Sequence, residues 1–512
     1  MQRKLWLPLE LNPCSKMATA EIGALLRERV VNMTDQTSRR DFLKTSTLGL
    51  GAIGVAAGAV ASGALAATEA APPTSDIAVW VTSDEKRYAA EPAIHWQHIS
   101  EKTAIDPIRI DPSKTYQDIL GFGAAFTDGA CYTLNRMDPP ARDRLLHELY
   151  HPSEMGLSIG RTCIGASDCS TTVYGYDEGD PDPDMKRFSI AHDREYILPM
   201  LRQARKINPD LYLFSSPWSP PGWMKWNNSM LGGAMPRLHL AAYAQHFLKF
   251  LQDYEAEGVP IQAITIQNEI DTDQNGIMPA CTWSQETEIE FISDHLGPLF
   301  EKTKTPAQIW ILDHNYNLWG RVVCVLDDPD ARRYTKSVAW HGYGGVPEMM
   351  TRAHDLHPDA EFYWTEGGAN YGDPNIMGNW AKWSAIFAGA LNNWCRVIMG
   401  WNLCLDEQGK PNVGPYTCAG LVSVDSHTQA VLRTGPYWAL YHYSRAIKRG
   451  ARRIDSQSPI ADVQHVAFEN PGGQKVLVIT NPGQGRTVRL HQAESTALVP
   501  LRDDSVTTLV WS

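Results

Sequence analysis

Four scarcities in this 512-residue sequence each exclude something. Cysteine is rare, nine in all, and no two form a C-x-x-C pair, so the framework of a structural zinc site is missing. Positive charge is outnumbered, 46 Lys and Arg against 58 Asp and Glu, a net charge of −12. Nucleic acids and anionic membranes are bound by basic surface, so neither is expected as a partner. Charged residues make up only 20% of the chain against 43% hydrophobic, a globular balance that excludes wholesale disorder or a collagen-like fibre. Beyond residue 66 no stretch is long and apolar enough to cross a membrane, and there is no internal repeat.

What is present begins with export. Ser38-Arg39-Arg40-Asp41-Phe42-Leu43-Lys44 is followed by 22 uncharged residues, Thr45 to Ala66, of which 12 are Gly or Ala. Ala64-Leu65-Ala66 supplies small residues for cleavage. Paired arginines, a weakly apolar segment and an A-x-A end predict a twin-arginine signal, hence a periplasmic or secreted protein. A permanent anchor is the competing reading, but Gly and Ala supply little transfer energy into a bilayer, so no stable anchor is expected after cleavage. The residues before Met33 add nothing to such a signal, and Met33 is an alternative start. Residues 1–75 are thus read as leader and linker.

From about Gln117 apolar runs alternate with helical patterns. Eight strands are expected, at Ile119–Ala125, Leu157–Thr162, Leu211–Ser216, Ala263–Gln267, Gln308–Leu312, Ser337–Trp340, Glu361–Thr365 and Val397–Asn402. Between them, Ala191–Lys206, Leu238–Glu257 and Ile376–Cys395 carry apolar residues at spacings of three and four. This alternation predicts an α/β protein, a (β/α)8 TIM barrel over residues 115–435. From 436 to 512 short alternating runs separated by Asn470-Pro471-Gly472-Gly473 and Asn481-Pro482-Gly483-Gln484 predict a small antiparallel β-sandwich. The strand-like runs within 76–114 are orphans unless they complete it, so both chain ends are expected to build it.

Catalytic groups of such barrels project from the C-terminal ends of strands. Strand four ends in Gln267-Asn268-Glu269 and strand seven in Thr365-Glu366-Gly367-Gly368. Two carboxylates across one barrel mouth suit glycoside hydrolysis, which needs an acid for the leaving oxygen and a nucleophile for the sugar. No cofactor and no metal are required. Strand three runs into Ser216-Pro217-Trp218-Ser219-Pro220-Pro221-Gly222-Trp223, a stiff loop presenting indoles that stack on sugar rings. One of Trp218 and Trp223 is expected to pack under the loop instead.

Gly121-Phe122-Gly123, Ala125-Phe126-Thr127-Asp128, the Ser-Pro-Trp-Ser-Pro-Pro loop, Gln267-Asn268-Glu269, Trp340-His341-Gly342-Tyr343, Trp364-Thr365-Glu366-Gly367-Gly368 and Trp401-Asn402-Leu403 together resemble the glucosylceramidase branch of glycoside hydrolase family 30. They occur in family order. The resemblance implies a retaining β-glycosidase with Glu269 as acid/base and Glu366 as nucleophile. It further implies Asp168, Trp218, Asn268 and Trp401 around the sugar, His341 and Tyr343 lining the pocket, and Arg161 beside the carboxylates. Ile270 stands where the family has Pro, and Cys169 and Gly342 each replace an aromatic. No counterpart is found for a pocket Asn expected near Tyr416. The aglycone stays open among glucosylceramide, simple β-glucosides, β-1,6-glucan and β-xylosides.

Two readings from other classes compete. Gly156-Leu157-Ser158-Ile159-Gly160 matches the G-x-S-x-G elbow of serine esterases, but apolar alternation running on through Ile164 places Ser158 within a strand rather than on a sharp turn. A non-catalytic sugar-binding barrel would have lost a carboxylate, and both are present. The eight cysteines after the leader are read as buried free thiols, against pairings of Cys163 with Cys169 and Cys404 with Cys418.

Overall fold

The computed structural model of the chain describes residues 73–98 and 105–512. Arg39-Arg40 and the uncharged run after them lie outside the described residues. Eight parallel strands form the barrel: β1 (Gly121–Phe126), β2 (Ile159–Ile164), β3 (Tyr212–Pro217), β4 (Ala263–Thr265), β5 (Gln308–Asn315), β6 (Ser337–His341), β7 (Glu361–Glu366) and β8 (Cys395–Asp406). Each pairs with its sequence neighbour, and β8 closes the ring onto β1 through Val397 opposite Gly121. The eight expected strands are therefore all present, with ends shifted by a few residues. Ser158 precedes β2 at the strand's N-terminal end, away from the mouth, and its carbonyl accepts from the Tyr212 amide at 2.9 Å. It is neither within the strand nor on an elbow.

Strand periodicity sets the barrel's contents. Ile159, Phe214, Ala263, Trp310, Ala339, Tyr363 and Val397, one from each of seven strands, form an apolar plug in which Trp310 stacks on Tyr363 at 4.1 Å. Two residues further along five of these strands the same face carries Arg161, Ser216, Thr265, His341 and Thr365, a buried polar layer on top of the plug. On β5 the rhythm breaks. Leu312 and Asp313 adopt left-handed φ of 71° and 47°, and the pairing with β6 slips by one residue there. This bulge turns Asp313, not Leu312, into the polar layer. Similar slips lie next to His341 and Glu366 and next to Trp401.

Helices Ile197–Ile207, Leu240–Ala256 and Trp380–Asn392 cover the barrel where helical periodicity was expected. The first begins later than expected, because residues His192–Arg194 form a separate 3-10 turn that carries the buried Asp193 to Tyr176 and Tyr254. A helix at Gly435–Ala446 follows the barrel. Ten strands from both ends of the described chain then share one hydrogen-bonded path, antiparallel except where Arg486–Gln492 lies parallel to Pro107–Asp118. Ile77–Ser83 pairs with Ser505–Trp511, so the orphan N-terminal strands do complete this domain. Its own core holds Ile77, Val79, Ile108, Leu477, Leu490 and Leu509. Its other face, with Val466, Phe468, Val476 and Val478, joins the barrel's hydrophobic core. Among the described residues no helix is long and apolar enough to cross a membrane.

Candidate active site

A cavity of about 570 Å³ opens at the C-terminal ends of the barrel strands, and Asp168, Trp218, Asn268, Glu269, Glu366 and Trp401 are among the residues that line it. Arg161 organises its floor. Fully buried, it donates through Nη1 to Glu366 Oε2, and through Nη2 to Asn268 Oδ1 at 2.7 Å and Asp313 Oδ2 at 2.8 Å. Burial opposes its charge, but Asp313 and Glu366 overcome that and hold it above its ordinary value. Asp313 accepts in addition from Ser216, Thr265 and Thr365 at 2.7–2.8 Å and meets His341 Nε2 at 3.0 Å. Despite complete burial, Arg161 and those hydrogen bonds keep the Asp313 carboxyl well below the usual range.

Glu366 also accepts from the Tyr343 hydroxyl, which reaches Oε1 at 3.0 Å. Opposite it, Glu269 sits with a left-handed φ of 49°, an uncommon conformation for a non-glycine residue that marks a held functional position. His341 lies between the two carboxylates, with Nδ1 at 3.4 Å from Glu269 Oε1 and Nε2 at 3.8 Å from Glu366 Oε2. Burial works against the His341 cation, yet the charge of Glu366 and the bonds to Asp313 and Glu269 push its pKa up to about 9. For Glu269, burial raises the pKa, and the hydrogen bond and charge of His341, with His314, bring the net shift below the ordinary value. The approach of a second carboxylate alone would have raised it; the imidazolium reverses that.

Trp218 and Trp401 stack at 4.9 Å and 23°, with the Arg161 guanidinium over both rings. Both are almost wholly buried. Trp223 packs under the loop instead, its indole donating to the Asp177 carbonyl at 2.9 Å. Buried Lys225 ties that loop down, reaching Ser219 Oγ and the Met230 carbonyl at 3.0 Å. Asp168 is pushed up to about 7, first by burial and then by the charge of Glu366. Its Oδ1 is buried without a hydrogen-bond partner, which a sugar hydroxyl would supply.

The short sequence motifs are explained by these contacts. Thr127 caps helix Asp128–Asn135 by accepting from the Ala130 amide, and its hydroxyl donates to Asn402 Oδ1 at 2.8 Å, joining β1 to β8. Gly342 has no room for a side chain, since a Cβ there would stand 2.5 Å from the Trp364 indole. Seven of the nine predicted site residues thus line one cavity, and the other two, Arg161 and His341, contact its carboxylates.

The sequence of the barrel, residues 119–447, matches the model of the glycosyl hydrolase family 30 TIM-barrel domain, and residues 450–509 match that family's beta sandwich domain. The chain belongs to glycoside hydrolase family 30. It is 31% identical over 419 residues to Endo-1,6-beta-D-glucanase BGN16.3 of Trichoderma harzianum, covering 75% of this chain and 82% of that protein. It is 27% identical over 397 residues to the lysosomal acid glucosylceramidase of Mus musculus, covering 73% and 77%. Among solved structures it resembles the endo-beta1,6-glucanase BT3312, with TM-score 0.77 and 27% identity, over 86% of this chain and all of that one. As a family 30 member the protein is a glycosidase.

Several residues of this family 30 site escape sequence reasoning. Asp313 is one, although it follows the apolar run Trp310-Ile311-Leu312 as Glu269 and Glu366 follow theirs. Gln274 is another: its Nε2 donates to Glu269 Oε2, and its Oε1 accepts from the Tyr416 hydroxyl at 2.7 Å. Gln274 sits in an irregular loop with φ of 49°, where no periodicity exists to read. His314 pairs with Asp271 at 2.8 Å and stands 3.7 Å from Glu269. Tyr416 lines one wall of the cavity. None of the eight described cysteines is disulfide-bonded; only Cys324 is exposed.

Proposed function

We propose that this protein is a retaining β-glucosidase in which Glu366 attacks the anomeric carbon and Glu269 protonates the departing oxygen. The observation that carries the reading is the single imidazole of His341 in contact with both carboxylates, with Arg161 bonded to Glu366 and not to Glu269. That asymmetry supports this division of roles. The carboxylate paired with a guanidinium and a tyrosine hydroxyl is the one that forms the glycosyl-enzyme. The carboxylate beside a protonated imidazole has a proton one hydrogen bond away. Glu269 and His341 share that proton as a pair, and it passes to Glu269 as the glycosidic oxygen arrives. Once the leaving group has gone, Glu269 takes a proton from water, which attacks the glycosyl-enzyme.

Asn268 gives its Oδ1 to Arg161, which leaves its amide nitrogen to bind the sugar 2-hydroxyl, a contact that strengthens in the transition state. Asp168 accepts from sugar hydroxyls, and the Trp218–Trp401 pair forms the wall beside the ring. The cavity is further lined by Thr272, Gln274, Asn315, Asn370 and Tyr416, with Met278 and Ala369 as apolar members. Amides and hydroxyls suit a hydroxylated leaving group. A β-glucan or oligosaccharide is therefore favoured over ceramide as the aglycone side; the relatives include proteins named for either substrate. Export through the twin-arginine signal would place the enzyme where such polymers are met.

The test is product stereochemistry and a substrate panel. Proton NMR of the first-formed sugar from a β-glucoside should show the β-anomer; the α-anomer appearing first would overturn the assignment of both glutamates. β-1,6-glucan oligosaccharides are expected to be cleaved with higher kcat/KM than glucosylceramide or β-xylosides.

A further inference from the structure

Cys169 follows Asp168 on the segment beyond β2, while Cys418 begins the strand Cys418–Val424, distant in sequence. The fold brings both thiols to one carboxylate oxygen. Cys169 Sγ lies 3.6 Å and Cys418 Sγ 3.7 Å from Asp168 Oδ2, and the three ligand atoms all fall within 4.8 Å of one another. The cluster is buried: Asp168 is 4% exposed, Cys169 0% and Cys418 9%. Asp168 Oδ1 has no hydrogen-bond partner. In a tetrahedral site with metal–sulfur bonds of about 2.3 Å and metal–oxygen bonds of about 2.0–2.2 Å, adjacent sulfur and oxygen ligands stand roughly 3.5–3.7 Å apart. Both sulfur–oxygen distances already match that spacing.

We infer that Asp168, Cys169 and Cys418 form a binding site for a thiophilic divalent cation, Zn²⁺ or Cd²⁺, and that its occupation blocks the sugar subsite. The inhibition half rests on the reading of Asp168 as a sugar-binding carboxylate; the site itself does not. Two protein sulfurs and one oxygen leave a fourth position, which faces the cavity because Asp168 and Cys418 both line it. Water completes the shell there. Binding exchanges two thiol protons for the cation: M²⁺ and two R–SH give M(SR)₂ and two H⁺, with no change of oxidation state. Binding therefore tightens as pH rises. A metal on Asp168 removes the acceptor the sugar hydroxyls need, so the effect falls on KM.

The experiment uses the purified protein with its thiols reduced, titrated with CdCl₂. The expected readout is an ultraviolet sulfur-to-cadmium charge-transfer band together with a rise of at least tenfold in KM for an aryl β-glucoside, reversed by EDTA. Cys418→Ser and, separately, Cys169→Ser should each weaken the band and shift half-inhibition to at least tenfold higher cadmium, relative to each variant's own metal-free rate. Circular dichroism establishes that each variant is folded, and Cys418, at the cavity wall, is the less disruptive of the two. Cys324→Ser, at the exposed thiol, should change neither readout. Absence of a band in the wild-type protein, or a band lost in Cys324→Ser alone, overturns the site. A band without any rise in KM overturns the competition with sugar. Asp168→Asn without metal separates the two ideas: an unchanged KM there would refute the role of Asp168 in sugar binding while the band still reports on the site.

Discussion

At the scale of single residues the two glutamates are chemically similar and differ by what touches them. Glu366 has a guanidinium and a phenol; Glu269 has an imidazole and a carboxamide. Glu366→Ala is expected to abolish turnover, with azide restoring partial activity and yielding the α-glycosyl azide; rescue through Glu269→Ala with the same product would exchange their roles. Glu269→Ala is expected to lower kcat/KM by roughly 10²–10⁴-fold on substrates with poor leaving groups and far less on activated aryl glucosides. Gln274 loses one hydrogen bond to Glu269 when truncated. Gln274→Ala should therefore reduce kcat by about fivefold, as one hydrogen bond is worth about 1 kcal/mol, and a wild-type kcat would show that the amide does not aim the acid. The His341 pKa of about 9 should appear as the alkaline limb of kcat/KM. In His341→Gln the shared proton has only Glu269 to sit on, so that limb should move at least one unit lower. An unmoved limb would assign it to another group.

Elements show why some of this site can be read in the sequence and some cannot. Period-two alternation makes β2, β3, β6 and β7 legible, and the strand-end rule then yields Glu269 and Glu366 directly. Asp313 obeys the same rule but hides behind a bulge: the apolar run ends at Leu312, and only the left-handed turn at Leu312 and Asp313 sends that carboxylate inward. Strands Lys86–Ile94 and Arg452–Gln457 are missed for a different reason. They are too polar to alternate, and their order comes from pairing with Ile77–Ser83 and Pro107–Asp118. The Cys169–Cys418 contact is invisible because it depends on how a loop after β2 meets a strand after β8. The bulge carries a measurable consequence. Asp313 collects donors from β2, β3, β4, β6 and β7, so Asp313→Ala leaves Arg161 and His341 without their buried counter-charge. A loss of about 3–5 kcal/mol in urea unfolding is expected, the cost of orphaning a buried charge. A loss under 1 kcal/mol would mean that Glu366 alone balances Arg161.

At the scale of the whole molecule, barrel and sandwich are joined by buried polar contacts as well as apolar ones. His442, on helix Gly435–Ala446, meets Thr82 and Thr508 of the sandwich at 2.8 Å on either ring nitrogen. Burial pushes its pKa down to about 3, that of His246 in helix Leu240–Ala256 also to about 3, and that of His465 in the sandwich to about 4. In the unfolded chain each titrates near 6.5. Between pH 6.5 and 4 the unfolded state therefore binds about three protons that the native state refuses, and stability must fall as the solution is acidified. The slope is on the order of 1 kcal/mol per histidine for each pH unit below 6.5. His341 acts in the opposite sense: raised above its unfolded value, it stabilises the fold below pH 6.5 and loses that contribution as pH climbs toward 9. Stability should therefore peak near neutrality and fall on both sides. His442→Gln tests the acid side. It keeps a donor and an acceptor for the two threonines but cannot titrate, so its melting temperature should drop less than the wild type's between pH 7 and pH 5. Parallel curves for the two proteins would show that His442 accepts a proton without leaving its seam, and that the acid sensitivity lies elsewhere.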